Sequence, residues 1–235
     1  MQEHIVTSYD TELEMLGQKI AEMGGIAEKM LVDAMEALAT LDGPLAKATV
    51  STDISLDKLQ RDIEDQVVLT IAKRQPMAID LRQLIGAMRV AGDLERVGDL
   101  AKNIAKRSIQ IGNDSRIPSV KVSLRHMGET AARQLKNTLD AYASRDQEMA
   151  KEVWLRDAEL DAVEENIFRE LLTFMMEDPR NISYCTHLLF CSKNIERIGD
   201  HATNIAETIH YIATGDSLPI ERPKSIAEIG SITVV

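Results

Sequence analysis

The sequence predicts an all-α fold, a tandem repeat of two antiparallel three-helix bundles made of six long helices. Three observations carry this. Apolar residues recur at three- and four-residue spacing along most of the chain, the spacing of a buried helix face. A twelve-residue segment at 94–105, LERVGDLAKNIA, returns as IERIGDHATNIA at 195–206. Aromatic residues are 3% of the 235 while hydrophobic residues reach 44% and Met numbers 11, so the core is aliphatic, as in helical bundles.

The repeat governs the architecture, because self-similarity at a fixed offset means one structural unit used twice. Eight positions of the segment are identical at an offset of 101: Glu95/Glu196, Arg96/Arg197, Gly98/Gly199, Asp99/Asp200, Ala101/Ala202, Asn103/Asn204, Ile104/Ile205 and Ala105/Ala206. Further upstream the offset is 104, linking Met23-Gly24 to Met127-Gly128, and Asp53 and Asp57 to Asp157 and Asp161. About three residues are therefore lost in the second half, most simply at the turn around Asp178-Pro179, since loops absorb length changes at little cost.

In chain order, residues 11–39 place Leu13, Leu16, Ile20, Met23, Ala27, Met30 or Leu31, Ala34 and Leu38 on one face, a first long helix. Asp42-Gly43-Pro44 stops it and starts a second, which runs to about Arg74 with Leu56, Leu59, Ile63, Val67 and Ile71 inward. Pro76 ends that helix by removing an amide donor and disfavouring helical geometry before it. A third helix spans about 78–111. Gly112-Asn113-Asp114-Ser115, with Pro118 beyond, divides the chain into a first bundle at 1–113 and a second at 114–214. After Gly215, Pro219, Pro223 and Gly230 interrupt every period, so 215–235 reads as an extended tail.

A net charge of −11 without a long Lys/Arg run argues against a nucleic-acid partner and favours cations or a basic protein. No basic-then-apolar start and no run of about 18 apolar residues occur, so the expectation is a soluble, cytoplasmic protein. Cys185 and Cys191 share one helix at a spacing that suits neither a disulfide nor a metal pair.

Candidate chemistry lies in acidic pairs at i, i+4: Asp53/Asp57 with Glu95/Asp99, and Asp157/Asp161 with Glu196/Asp200. Seven such pairs occur in the chain, about what chance gives for 38 acidic residues, so the count carries no weight. Four of the seven falling at matching positions of the repeat does. If neighbouring helices bring four carboxylates together, each pair at ~6 Å repels by ~3 kcal/mol at an effective dielectric near 20, before solvent screening. A bound cation would offset this, and all-oxygen ligands suit magnesium, manganese, calcium or iron. The bland alternative is a pair of solvated acidic faces, partly neutralised by Arg96 and Arg197. Mid-helix Gly98 and Gly199 point to close helix approach or ligand room, because Gly costs roughly 1 kcal/mol there relative to Ala. Asn103 and Asn204 read as interhelical hydrogen-bond groups, His201 as an exposed or partner-facing side chain. Glu207 and His210 have the Glu-x-x-His spacing of di-iron bundles, but it occurs once. No phosphate-cradling loop, nucleophile elbow or HExxH is present, so no enzyme is expected.

Lys73-Arg74-Gln75-Pro76, Asp80-Leu81-Arg82, Glu95-Arg96-Val97-Gly98-Asp99, Met175-Met176-Glu177-Asp178-Pro179 and Glu196-Arg197-Ile198-Gly199-Asp200 together resemble the PhoU family, accessory proteins of the phosphate-specific transport system. The resemblance covers about residues 9–215. It implies two three-helix bundles, a regulatory rather than catalytic role, and repression of the phosphate-starvation regulon when phosphate is plentiful. It further implies linkage of the PstSCAB transporter, through its ATPase PstB, to the sensor kinase PhoR, so that membrane contact is indirect, and homodimers. By the same resemblance Asp53, Asp57, Glu95, Asp99, Asp157, Asp161, Glu196 and Asp200 carry metal ions such as iron, manganese or magnesium. Asp93 of the first motif is Asn194 in the second, an asymmetry that would separate the two sites in charge. Two alternatives stand beside this reading, a carboxylate-metal phosphoester hydrolase and a purely structural interaction bundle.

Overall fold

The computed structural model describes residues 2–112, 118–156 and 158–219, with side chains from residue 11 onward except at 118 and 119. Seven α-helices and one 3₁₀ turn account for almost all of it: α1 (Gln2–Thr40), α2 (Gly43–Arg74), α3 (Ile79–Ile111), α4 (Pro118–Ser144), α5 (Gln147–Leu155), α6 (Ala158–Glu177), a 3₁₀ turn (Pro179–Asn181) and α7 (Ile182–Thr214). No strand occurs among the described residues.

Local chemistry sets the ends. Asp42 caps α2, its carboxylate accepting from the Leu45 amide at 2.9 Å, and Pro44 occupies the first turn, where the missing amide has no intrahelical partner to lose. Gln75 closes α2 in the left-handed region at φ 48°, just before Pro76. Gly215, at φ 85°, closes α7 in the conformation that glycine adopts at least cost. The first helix begins earlier than the periodicity predicts, at Gln2. The expected domain boundary falls largely on residues 113–117, and the apolar end of the tail on 232–235; both lie outside the described residues.

Helices α1, α2 and α3 pack on one another, as do α4, α7 and the α5–α6 pair. The two bundles join mainly along α3 and α7 and secondarily along α1 and α4. Helices α3 and α7 run antiparallel, since Gly86 lies against Ile212, Asp93 against His201 and Arg107 against His187. Their apolar faces are fully buried at Leu94, Val97, Ala101 and Ile104, and at Ile195, Ile198, Ala202 and Ile205. The α1–α4 contact obeys the same pseudo-symmetry: a Cβ on Gly24 would meet Leu139 at 2.5 Å and one on Gly128 would meet Met35 at 2.7 Å, the same pair of positions 104 residues apart.

One departure from the sequence reading matters for the site. The predicted fifth long helix is two, α5 and α6, broken at Arg156. Gln134 of α4 donates its Nε2 to the Arg156 carbonyl at 3.2 Å, and the Glu159 amide donates to the same oxygen at 3.0 Å, so the break leaves that carbonyl satisfied. The first-bundle counterpart of Gln134 is Met30, which has no donor to offer, and α2 runs unbroken.

Candidate functional site

The first acidic face is assembled by a glycine. A Cβ on Gly98 would overlap Leu56 Cδ2 and lie 3.7 Å from Met30, so Gly98 allows α2 to approach α3 closely. Leu56 sits between Asp53 and Asp57, and Gly98 between Glu95 and Asp99. The contact that seats Leu56 therefore sets the Asp53/Asp57 turn of α2 against the Glu95/Asp99 turn of α3, near enough for Asp53, Asp57 and Asp99 to act on Glu95. In the second bundle Gly199 does the same for Leu160, which lies just before Asp161, with Gln134 Oε1 at 3.3 Å from the added carbon. Helix approach, of the two readings open for these glycines, is the one observed.

Around Glu95 the convergence is felt electrostatically. Burial, and then the charges of Asp99, Asp57 and Asp53, push its carboxyl above the usual glutamate value, with Arg96 acting the other way. Arg96 spans Glu95 at 3.4 Å and Asp99 at 3.5 Å, but is 61% exposed. A stronger cation lies underneath. Lys102 Nζ donates to Asp53 Oδ2 and to Asp99 Oδ1, at 2.5 Å each, with its side chain only 19% exposed. Burial pulls the Lys102 pKa down, yet the hydrogen bonds and charges of the two aspartates outweigh it and the net displacement is upward. Asp53, at 7% exposure, is the one buried aspartate among the described residues.

The second face gathers a different set. Asp157 lies outside the described residues, Asp161 is exposed, and Glu196 and Asp200 are half-buried on α7. Glu164 joins them; its first-bundle counterpart is Gln60, so the repeat does not single it out. Burial, and then Glu196, Asp161 and Glu165, hold the Glu164 carboxyl above its ordinary value against the pull of Lys193. Lys193 Nζ donates to Glu196 Oε1 at 2.7 Å but its side chain is 55% exposed. Glu196 Oε2 is buried with no hydrogen-bond partner among the described residues.

The oxygen donors of both faces suit a hard cation, but the two fit it unequally. In the first, Lys102 stands between Asp53 and Asp99, where a bridging ion would have to go. In the second, the orphaned Glu196 oxygen beside Glu164 leaves acceptor capacity to fill. Among the described residues, which leave out Asp157, no three His, Cys, Asp or Glu side chains are grouped to hold an ion.

Between the bundles lies a cleft of about 490 Å³, lined on α3 by Arg89, Asp93, Glu95 and Arg96 and on α7 by Asn204, Glu207 and Tyr211. Two expectations change here. His201 is not exposed; its Nδ1 lies 2.9 Å from Asp93 Oδ1, both side chains 17% exposed, tying α7 to α3. Asp93 accordingly faces the other bundle, with Asn204 Nδ2 also donating to it at 3.4 Å, so the Asp93/Asn194 asymmetry bears on the seam rather than on the acidic face. Asn204 is the interhelical group expected, whereas Asn103 is exposed. Glu207 accepts from Trp154 Nε1 at 3.1 Å. Arg89 lies 5.0 Å from the Tyr211 ring centroid, and Arg107 3.9 Å from that of Phe190. Cys185 and Cys191 are buried free thiols, and burial pushes the Cys191 pKa to about 12. No helix among the described residues is long and apolar enough to cross a membrane.

Tandem three-helix bundles, each bearing an acidic face built over a helix-packing glycine, define a two-repeat helical class. The chain belongs to the PhoU family: the PhoU domain family model matches it twice, at residues 20–108 and 124–209. It is 53% identical over 232 residues to the phosphate-specific transport system accessory protein PhoU homolog of Rhizobium meliloti, covering 98% of each chain. Against the homolog of Caulobacter vibrioides the identity is 50%, covering 95% of this chain and 97% of the other. Among solved structures, PhoU from Pseudomonas aeruginosa superposes with a TM-score of 0.86 at 38% identity, covering 88% of this chain and all of that one. The phosphate transport system regulatory protein PhoU from Streptococcus pneumoniae gives 0.84 at 27% identity, over 90% and 100%.

Proposed function

We propose that this chain is a regulatory adaptor of phosphate homeostasis, an accessory protein of phosphate-specific transport that represses phosphate uptake and the phosphate-starvation regulon when phosphate is abundant. In this reading it works in the cytoplasm as a homodimer and links the transporter, through its ATPase subunit PstB, to the sensor kinase PhoR. The observation that carries the reading is the end-to-end match to relatives named as transport accessory proteins, spanning both repeats and both acidic faces. Their naming as accessory proteins also favours regulation over catalysis.

The acidic faces supply the cation-responsive part of the proposal. Asp53, Asp57, Glu95 and Asp99 in the first bundle, and Asp157, Asp161, Glu196 and Asp200 in the second, are the candidate ligands, with Glu164 added. A divalent or trivalent ion bound there would offset carboxylate repulsion and tie neighbouring helices together. The chain's own part is to hold the carboxylates in register, through Gly98 on Leu56 and Gly199 on Leu160.

The test is genetic and biochemical. Deletion is expected to derepress phosphate-starvation genes in phosphate-rich medium, and the tagged chain to co-purify with the transporter ATPase or the kinase. Normal repression in the deletion strain would sink the assignment.

A further inference from the structure

We infer that the first acidic face is closed to metal by the chain's own lysine, so that metal uptake is confined to the second bundle. The inference rests on the metal reading above and narrows it, withdrawing Asp53, Asp57, Glu95 and Asp99 as ligands while Lys102 is in place.

Position is the first argument. The Lys102 ammonium contacts one carboxylate on each helix of the face, Asp53 on α2 and Asp99 on α3, which is what a bridging cation would do. It has three donors and no acceptor, so it matches carboxylate oxygens and offers nothing to a metal. Being anchored one helical turn from Asp99, it competes as an intramolecular ligand, at an effective concentration a free ion does not reach in dilute solution.

The repeat supplies the second argument. The counterpart of Lys102 is Thr203, a buried residue whose hydroxyl donates to the Gly199 carbonyl at 3.1 Å, so no ammonium enters the second face from that side. Lys193, at the position of Gly92 in the first bundle, pairs with Glu196 in the second face, and its side chain is 55% exposed against 19% for Lys102. An exposed lysine on a flexible stem swings into water at little cost, whereas Lys102 would have to leave a buried aspartate behind it. Glu164 in place of Gln60 adds a carboxylate to the second face, and Glu196 Oε2 is left there without a partner among the described residues.

The experiment uses the full chain, stripped with chelator and titrated with Mn²⁺ alone by calorimetry and by equilibrium dialysis with elemental analysis. Four proteins are compared: wild type, Lys102→Thr, Glu196→Gln with Asp200→Asn, and the combination of all three substitutions. Wild type is expected to take up Mn²⁺ in a manner abolished by Glu196→Gln with Asp200→Asn. Lys102→Thr is expected to gain uptake that survives those two substitutions, at least about tenfold tighter than the first face of the wild type. Should Lys102→Thr not fold, Lys102→Gln keeps a hydrogen-bond donor while removing the charge and serves instead. Mn²⁺ uptake by wild type that survives Glu196→Gln with Asp200→Asn, or no added uptake on removing Lys102 charge, would overturn the inference while leaving metal binding intact. Absence of uptake in all four proteins would overturn the metal reading itself, and the inference with it.

Discussion

In both bundles a leucine seated on a glycine brings carboxylates of neighbouring helices together, but the positive charge that answers them comes from unrelated places. Lys102 enters the first face from below, one turn after Asp99, and is largely enclosed; Lys193 enters the second from the rim, one turn before Glu196, and is mostly in water. The backbone around them differs too, since α2 runs unbroken past Asp53 while its counterpart breaks at Arg156 beside Asp157. Helix packing is thus the part of the unit that both copies keep, and charge compensation is the part each copy arranges for itself. In the first face the buried Lys102 already occupies Asp53 and Asp99, whereas in the second the cation lies at the rim and one Glu196 oxygen has no partner among the described residues.

Removing the two lysines is the strongest way to break this contrast. Lys102→Met leaves Asp53 as a buried charge without its partner and is expected to lose about 1.5–3 kcal/mol, the range for hydrogen bonds to charged groups. Lys193→Met removes an exposed pair, worth about 0–1 kcal/mol. Urea unfolding of both variants in chelator at pH 7 measures the difference, and equal losses would remove the distinction between an internal and a rim cation. Gly98→Ala comes next. Its Cβ must displace the buried Leu56, costing about 1–3 kcal/mol, while better helix propensity returns about 1, for a net loss of up to about 2 kcal/mol. Gly199→Ala meets Leu160 and also the half-satisfied Gln134, so its loss is expected to be the larger of the two. Thermal unfolding reads both, at about 2–4 °C per kcal/mol for a chain of this size.

Helix periodicity and the repeated motif made the bundles, their order and the i, i+4 pairs Asp53/Asp57 and Glu95/Asp99 legible from the sequence, because each rests on spacing along one helix. Lys102 and Lys193 were visible in the sequence at i+3 and i−3 from known acidic residues, but their burial depends on which way each helix turns, and that separates them. The break at Arg156 was not legible: no Gly or Pro marks it, and its stabilising partner is Gln134, on another helix. His201 was misplaced for the same kind of reason, since pairing with Asp93 requires α3 and α7 to lie antiparallel across the seam. Where a feature depends on one helix, the sequence carries it; where it depends on the phase of two, it does not.

The smallest effect is also the one that probes the electrostatics most directly. The Glu95 carboxyl titrates above the ordinary value of 4.5 in the fold, chiefly through burial and then through its acidic neighbours. The folded chain therefore holds that proton at pH values where the unfolded chain has released it. The contribution to stability is fully present below pH 4.5 and is lost as pH rises through the folded value, so ionised Glu95 opposes folding at neutral pH. Glu95→Gln is expected to raise stability at pH 7 by about 0.2–0.5 kcal/mol, what one like-charged i, i+4 pair costs, and to give no advantage below pH 4.5. Glu196→Gln, which weakens the hold on Lys193 at 2.7 Å, is expected to give no gain at pH 7. Urea unfolding in chelator at pH 7 and pH 4 distinguishes them, and a gain of equal size in both bundles would mean that the two faces are electrostatically alike despite their different lysines.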